Sequence, residues 1–230
     1  MVSLRLTNTP QVMLFFIYTT FVVPLTVLIP IVYGFKNYSN LPRAFKIILA
    51  FIIFSAFMNT SSTIVARVFH KQTTGFFHVY TPFEFAFVIA FFAEFYNTKI
   101  RNMLYVLIAA FAIFCVLNTV YLESMMQLDG NARSVDAIIL IACCMLFFAK
   151  NNNDLDSRWA DHASNWITAG LLLYYSCSLF MFIFFNKMTE AGIMSDIIIY
   201  IYATILAIEY ILFAVGFNKC RAQQAISISK

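Results

Sequence analysis

Runs of about 20 apolar residues, separated by short polar breaks, recur along the chain. A helix rising about 1.5 Å per residue needs roughly 20 residues to cross about 30 Å of hydrocarbon. The pattern therefore predicts membrane-spanning helices at about 11 to 34, 45 to 68, 75 to 96, 101 to 122, 133 to 149, 165 to 186 and 195 to 217. Strands of a membrane barrel would alternate apolar and polar positions over about ten residues, and no such alternation occurs. The expected fold is all-α: a polytopic seven-transmembrane helix bundle forming one domain over residues 1 to 230.

Composition agrees. The chain is 62% hydrophobic and 11% charged, with 27 phenylalanines and a mean hydropathy of +0.81, well above the roughly half-apolar usage of soluble domains. The longest polar connection, Lys150 to Ser164, is rich in Asn and Asp and too short for a soluble domain. Chemistry is therefore expected among the helices. The first apolar segment lacks a small-residue cleavage site and reads as a retained helix rather than a signal peptide. No targeting or lipidation motif is evident.

Charge adds orientation, because cytoplasmic loops collect Lys and Arg. Lys36, Arg43, Lys46, Lys99, Arg101, Lys150, Arg158, Lys219, Arg221 and Lys230 fall on one side, against Arg5, Arg67, Lys71, Arg133 and Lys187 on the other. This predicts an outward N-terminus and a cytoplasmic C-terminus. Trp159 and Trp166 suit an inner-interface anchor. The net charge of +4 is a topology signal and implies no nucleic-acid partner. The five cysteines provide neither a disulfide framework nor a CxxC metal motif.

Polar residues inside apolar spans mark candidate sites, since an ionisable side chain there costs at least ~2.5 kcal/mol on insertion scales. In the second predicted helix Ser55, Asn59 and Ser62 fall on one stripe, thickened by Thr60, Ser61 and Thr63. Such small groups also serve as packing glue between helices. In the third, Tyr80, Thr81 and Glu84 share a face, with His78 one turn earlier. Yet Thr81-Pro82-Phe83-Glu84 has the form of a capping box, with Pro82 at the first helical position. A helix starting at Thr81 would leave His78 and Tyr80 on non-helical backbone beside an outward-facing, hydrated recess. In the fifth, Asn131 can cap the helix and Arg133 and Asp136 can pair. Asn118 and Thr119 of the fourth fall at similar depth, as does Arg67. In the seventh, Glu209 lies past the midplane with no basic residue expected at its depth. It is expected to be protonated or hydrogen-bonded to hydroxyls such as Tyr202, Tyr174, Tyr175, Ser176 or Ser178. Glu94 is expected to reach the interface, Pro24 and Pro30 to kink the first helix, and the many aromatic residues to serve packing and lipid contact.

Several classes are disfavoured. A zinc hydrolase needs three converging ligands, but the histidines are His70, His78 and His162, the last on the opposite side. A retinal Schiff base needs a lysine within a helix, and none lies between Asp196 and Phe217. Walker, GxGxxG and GxSxG motifs are absent. No cofactor, metal or catalytic residue is indicated.

The blocks HVYTPFEF, NARSVDAIILI, NWITAGLLLYYSCSLFMFI and ILFAVGFNK resemble an uncharacterised family of small bacterial seven-helix inner-membrane proteins often encoded near sensor histidine kinases. Matching positions are Tyr80, Glu84, Asn131, Arg133, Asp136, Trp166, Gly170, Tyr175 and Ser176. The family pattern carries Glu where Asp136 stands, and Ser-Gly where Ser176 and Cys177 stand. The resemblance implies placement in a bacterial inner membrane, a signalling neighbourhood and no established activity.

Together these features predict a receptor-like protein of signal transduction. An unknown small ligand would be met by His78, Tyr80, Glu84, Asn118, Arg133, Asp136 and Asn59, and a histidine kinase or other signalling partner would read the cytoplasmic face. A proton-coupled carrier, in which Glu84 outside and Glu209 inside alternate in protonation, is the first alternative. An intramembrane lipid hydrolase pairing Glu84 with Asp136 is the second.

Overall fold

A computed structural model describes residues 17–70, 72–123, 130–151, 159–191 and 195–228, with side chains described in 17–70, 72–123, 130–151, 159–181 and 199–220. Arg5, Lys71, Arg158 and Lys230, used above for orientation, lie outside the described residues, as do the side chains of Lys187 and Arg221.

Among the described residues the architecture is all-helical, without strands. The long helices are α1 (Tyr18–Lys36), α2 (Arg43–Val68), α3 (Thr74–Ala93), α4 (Thr98–Tyr121), α5 (Gly130–Asn151), α6 (Ala163–Ala191) and α7 (Ser195–Ile228). Helices α1 to α5 and, within α7, Ile199–Cys220 are long and apolar enough to cross a membrane, and α6 runs for 29 residues. The chain is an integral membrane protein.

Packing closes a ring. Helix α1 lies against α2 and α7, α2 against α3, α3 against α5, α5 against α6, and α6 against α7, while α4 sits outside the ring on α3 and α5. The periodicity of α4 shows why. Leu104, Phe111, Cys115 and Asn118 recur on one face and are buried, whereas Val106, Ile113, Leu117 and Val120 are exposed on another, where lipid would solvate them. Asn97 caps this helix by accepting from the Ile100 amide at 3.1 Å.

Close approach of α6 and α7 rests on glycine. A Cβ on Gly170 would stand 3.2 Å from the Phe213 ring, and one on Gly216 would stand 2.7 Å from Ile167 Cγ1 and 3.1 Å from the Ala163 carbonyl oxygen. Small residues let helix backbones meet in this way where lipid removes the hydrophobic drive between helices. At the end of the bundle holding the C-terminal ends of α3 and α5, Phe45, Phe91, Phe92, Phe147 and Phe217 interlock. Their ring centroids are 5.2 to 6.4 Å apart, and all are buried. This layer fills the ring with hydrocarbon.

Polar anchors cluster at the same end. Arg43 meets Glu94 at 3.4 Å, Lys150 donates to the Phe95 carbonyl, and Lys219 meets Asp161 at 3.5 Å. Trp166 Nε1 donates to the Ala160 carbonyl at 2.8 Å, with the Trp159 ring 5.5 Å away. Helix α1 is interrupted: a π turn at Tyr18–Val22 precedes Pro24, and the α-helical segments Val23–Thr26 and Leu28–Lys36 meet at Val27.

Two local expectations are overturned. Helix α3 begins at Thr74, so Pro82 lies inside it and His78 and Tyr80 stand on helical backbone. Thr81 does not cap: its hydroxyl donates to the Phe77 carbonyl at 3.0 Å, and Glu84 accepts from Tyr175 on another helix. Nor does Asn131 cap α5. Its own amide donates to both oxygens of the Glu123 carboxyl group, at 3.1 and 3.3 Å, so an acid just beyond the end of α4 supplies the cap.

Candidate functional site

The stripe on α2 sets one wall. Ser55, Asn59 and Ser62, at i, i+4 and i+7, all face a cavity of about 210 Å³ inside the ring. Helix α3 adds Phe76, Phe77, Tyr80 and Glu84, again one turn apart. Helix α5 adds Arg133 and α6 adds Tyr174. Helix α7 contributes Tyr202, Leu206 and Glu209 at the same i, i+4, i+7 spacing, with Tyr210 beside them. Five helices of the ring thus converge, and α4 contributes no described lining residue.

Buried groups dominate the cavity. Glu84 and Glu209 are each 3% exposed and Arg133 7%. The Tyr175 hydroxyl donates to Glu84 Oε1 at 2.9 Å. The Arg133 guanidinium lies over the Phe77 ring at 4.8 Å and the Tyr80 ring at 5.7 Å, so its charge is met by aromatic faces. Ser55 and Tyr80 share a hydrogen bond at 3.1 Å, and Tyr174 pairs with Tyr202. Glu84 is the electrostatic centre, since both Arg133 and Glu209 interact with it through space. In a medium of low dielectric such interactions are far stronger than in water.

The sequence-predicted residues divide into two groups. Asn59, Tyr80, Glu84 and Arg133 line one cavity, and Glu209 joins them. Arg133 lines the same cavity, but the charge that acts on Glu209 is that of Glu84. His78, Asn118 and Asp136 are buried but do not appear among the described lining residues. His78 Nδ1 lies 3.1 Å from the Thr119 hydroxyl. That hydroxyl donates to the Cys115 carbonyl and so accepts from the ring. Asn118 Nδ2 donates to Glu123 Oε2 at 2.9 Å. These two tie α4 to α3 and to the start of α5. Asp136 lies 1% exposed within electrostatic reach of Tyr175.

No protein-family model, curated protein or solved structure matches this chain. What the chain does must therefore be argued from its own geometry.

The sequence marks Tyr174, Tyr175 and Tyr202 as hydroxyl partners for Glu209, and Tyr175 also as a position shared with the family it resembles. The structure instead joins the first and last of these to each other and gives Tyr175 to Glu84. Tyr210 was missed altogether. The stripe of Tyr202, Leu206 and Glu209 was the signal that could have flagged its neighbour. Among the described residues no group of three or more His, Cys, Asp or Glu side chains converges to hold a metal ion. Chemically, the cavity offers two carboxyl groups, one guanidinium and several phenolic hydroxyls in a space for a few waters or a small molecule. The acid that lines it alongside Glu84 is Glu209, not Asp136.

Proposed function

We propose that this chain is a membrane-embedded receptor of signal transduction that takes a small ligand into the cavity of its helix ring. The observation that carries the proposal is the convergence of Glu84, Arg133 and Glu209, from three helices, on a cavity bordered along those helices by the phenylalanine layer. Ionisable groups within a membrane are costly and cluster where they bind or move something. A ligand that contacts α2, α3, α5 and α7 at once favours one arrangement of those helices over another, and that preference is the signal. The described residues hold no separate effector domain, so the reader is a partner protein at the end bearing Trp159 and Trp166. The resemblance to proteins encoded near sensor histidine kinases supports a kinase in that role. The resemblance supports placement in a bacterial inner membrane, and the distribution of Lys and Arg supports an N-terminus outside.

A second reading, a proton-coupled carrier, is favoured by one observation: two acids, Glu84 and Glu209, share one cavity. In that case they would act in one compartment rather than at opposite ends of the protein.

Sealed proteoliposomes separate the two. A receptor shows saturable ligand binding with a change in emission of its two tryptophans and no net flux of proton or solute. Flux that disappears in Glu209→Gln would establish the carrier and overturn the receptor.

A further inference from the structure

Glu209 differs from the other charged groups of the cavity. Glu84 has the Tyr175 hydroxyl at 2.9 Å and Arg133 within electrostatic reach. Arg133 lies against two aromatic rings. Glu209 is equally buried, lines the cavity, and has no hydrogen-bond partner among the described residues; its electrostatic neighbours are another acid, Glu84, the phenols of Tyr175, Tyr202 and Tyr210, and the Cys144 thiol, none of them a cation. A buried carboxyl group left in this way costs free energy that a donor or a positive charge would recover.

Charge and wall chemistry point the same way. Among the described lining residues two carboxyl groups face one guanidinium, one acid in excess. An incoming anion would meet Glu209 and an arginine already engaged by Glu84. An incoming cation would meet Glu209 directly, within walls that include Tyr80, Tyr174, Tyr202 and Tyr210. Aromatic walls attract alkylammonium groups, the more so where water is excluded. We propose that the ligand is an organic monocation, a primary or quaternary ammonium compound, seated between Glu84 and Glu209 inside the tyrosine walls. This rests on the ligand-receiving reading above and gives it a chemical class.

A second cavity shows where a substituent would go. About 470 Å³ in volume, it lies between α1, α2 and α7 and shares Asn59, Tyr202, Leu206 and Tyr210 with the first. The rest of its wall is apolar or threonine, including Val23, Val27 and Ile64. An alkyl chain on the ammonium nitrogen extends into this space past the shared residues.

The test is equilibrium binding to the full chain in lipid nanodiscs, read by calorimetry and by tryptophan emission, with tetramethylammonium, butyltrimethylammonium and acetate as probes. The expected result is saturable binding of both ammonium ions, tighter for the butyl compound, and none of acetate. Glu209→Gln, which keeps the shape and removes the charge, weakens tetramethylammonium binding by roughly tenfold or more. Absence of saturable ammonium binding to the folded wild-type protein overturns the proposal, whether or not the variant folds. So does a folded Glu209→Gln variant that binds ammonium as tightly as the parent. Acetate binding that is lost in Arg133→Gln, with no ammonium binding, overturns the cation while leaving the receptor intact. The receptor itself falls on the flux experiment above.

Discussion

Replacing Tyr175 by phenylalanine deletes one oxygen from the interior and leaves the ring in place. The hydroxyl donates to Glu84 at 2.9 Å, and the two side chains are 1% and 3% exposed, so bulk water cannot take over the bond. A hydrogen bond to a charged group contributes about 1.5 to 3 kcal/mol in proteins, whereas interhelical bonds within membranes average about 0.6 and reach about 1.7 kcal/mol. Arg133 remains beside Glu84 to offset part of the loss, which places the expected cost near the overlap of the two ranges, about 1.5 kcal/mol, or roughly tenfold in the folding equilibrium. Equilibrium unfolding in mixed micelles of increasing SDS content measures it. A double-mutant cycle with Glu84→Gln isolates the pair, because amide and phenol bond without charge assistance; in that background Tyr175→Phe should cost about half as much. A Tyr175→Phe variant within about 0.5 kcal/mol of the parent, or an equal loss in both backgrounds, would refute the claim that this bond orders the cavity wall.

Other perturbations give distinct signatures. Gly216→Ala places a methyl 2.7 Å from Ile167 Cγ1 and 3.1 Å from the Ala163 carbonyl oxygen. It should cost about 1 to 3 kcal/mol in the same unfolding assay. Gly75→Ala, which meets nothing within 4 Å, should be neutral or slightly stabilising. Glu123→Ala removes the acceptor of the Asn131 amide and the partner of Asn118, costing about 1 kcal/mol and speeding amide hydrogen exchange in the first turn of α5. Arg133→Gln leaves Glu84 without its cation while Glu209 still acts on it, and should destabilise by about 3 kcal/mol. Adding Glu84→Gln should recover part of that loss, and failure to do so would show that Arg133 acts through packing on Phe77 and Tyr80 alone.

How far the fold was legible follows from which forces act locally. Apolar runs dictate helices whatever their neighbours, because backbone groups in lipid must bond within the segment, and the cores of all seven predicted stretches are helical wherever residues are described. The stripe Ser55, Asn59, Ser62 was legible for the same reason: helical periodicity fixes a shared face, and that face lines the cavity. The start of α3 was not. Thr81, Pro82 and Glu84 have the spacing of a cap, but the Phe77 carbonyl takes the Thr81 hydroxyl and Tyr175, 91 residues away, takes the Glu84 carboxyl group. Partners so distant leave no trace in a four-residue pattern. The ring order of the helices, which puts Glu209 and Arg133 on one cavity and sets His78 and Asn118 on the α4 side, is likewise a property of packing between segments.

The central claim is that Glu84, Arg133 and Glu209 face one solvent-reached cavity, blocked beyond its inner end by phenylalanines. Cysteine labelling in sealed vesicles tests it most directly. In a background with Cys115, Cys143, Cys144, Cys177 and Cys220 replaced, a single cysteine at Ser55 reports the cavity and one at Phe91 reports the layer beneath. The account predicts that a small, charged, membrane-impermeant thiol reagent modifies the Ser55→Cys protein from the face where α2 ends and from that face alone, and leaves the Phe91→Cys protein unmodified from either. Labelling of Ser55→Cys from both faces, or from neither, would contradict it.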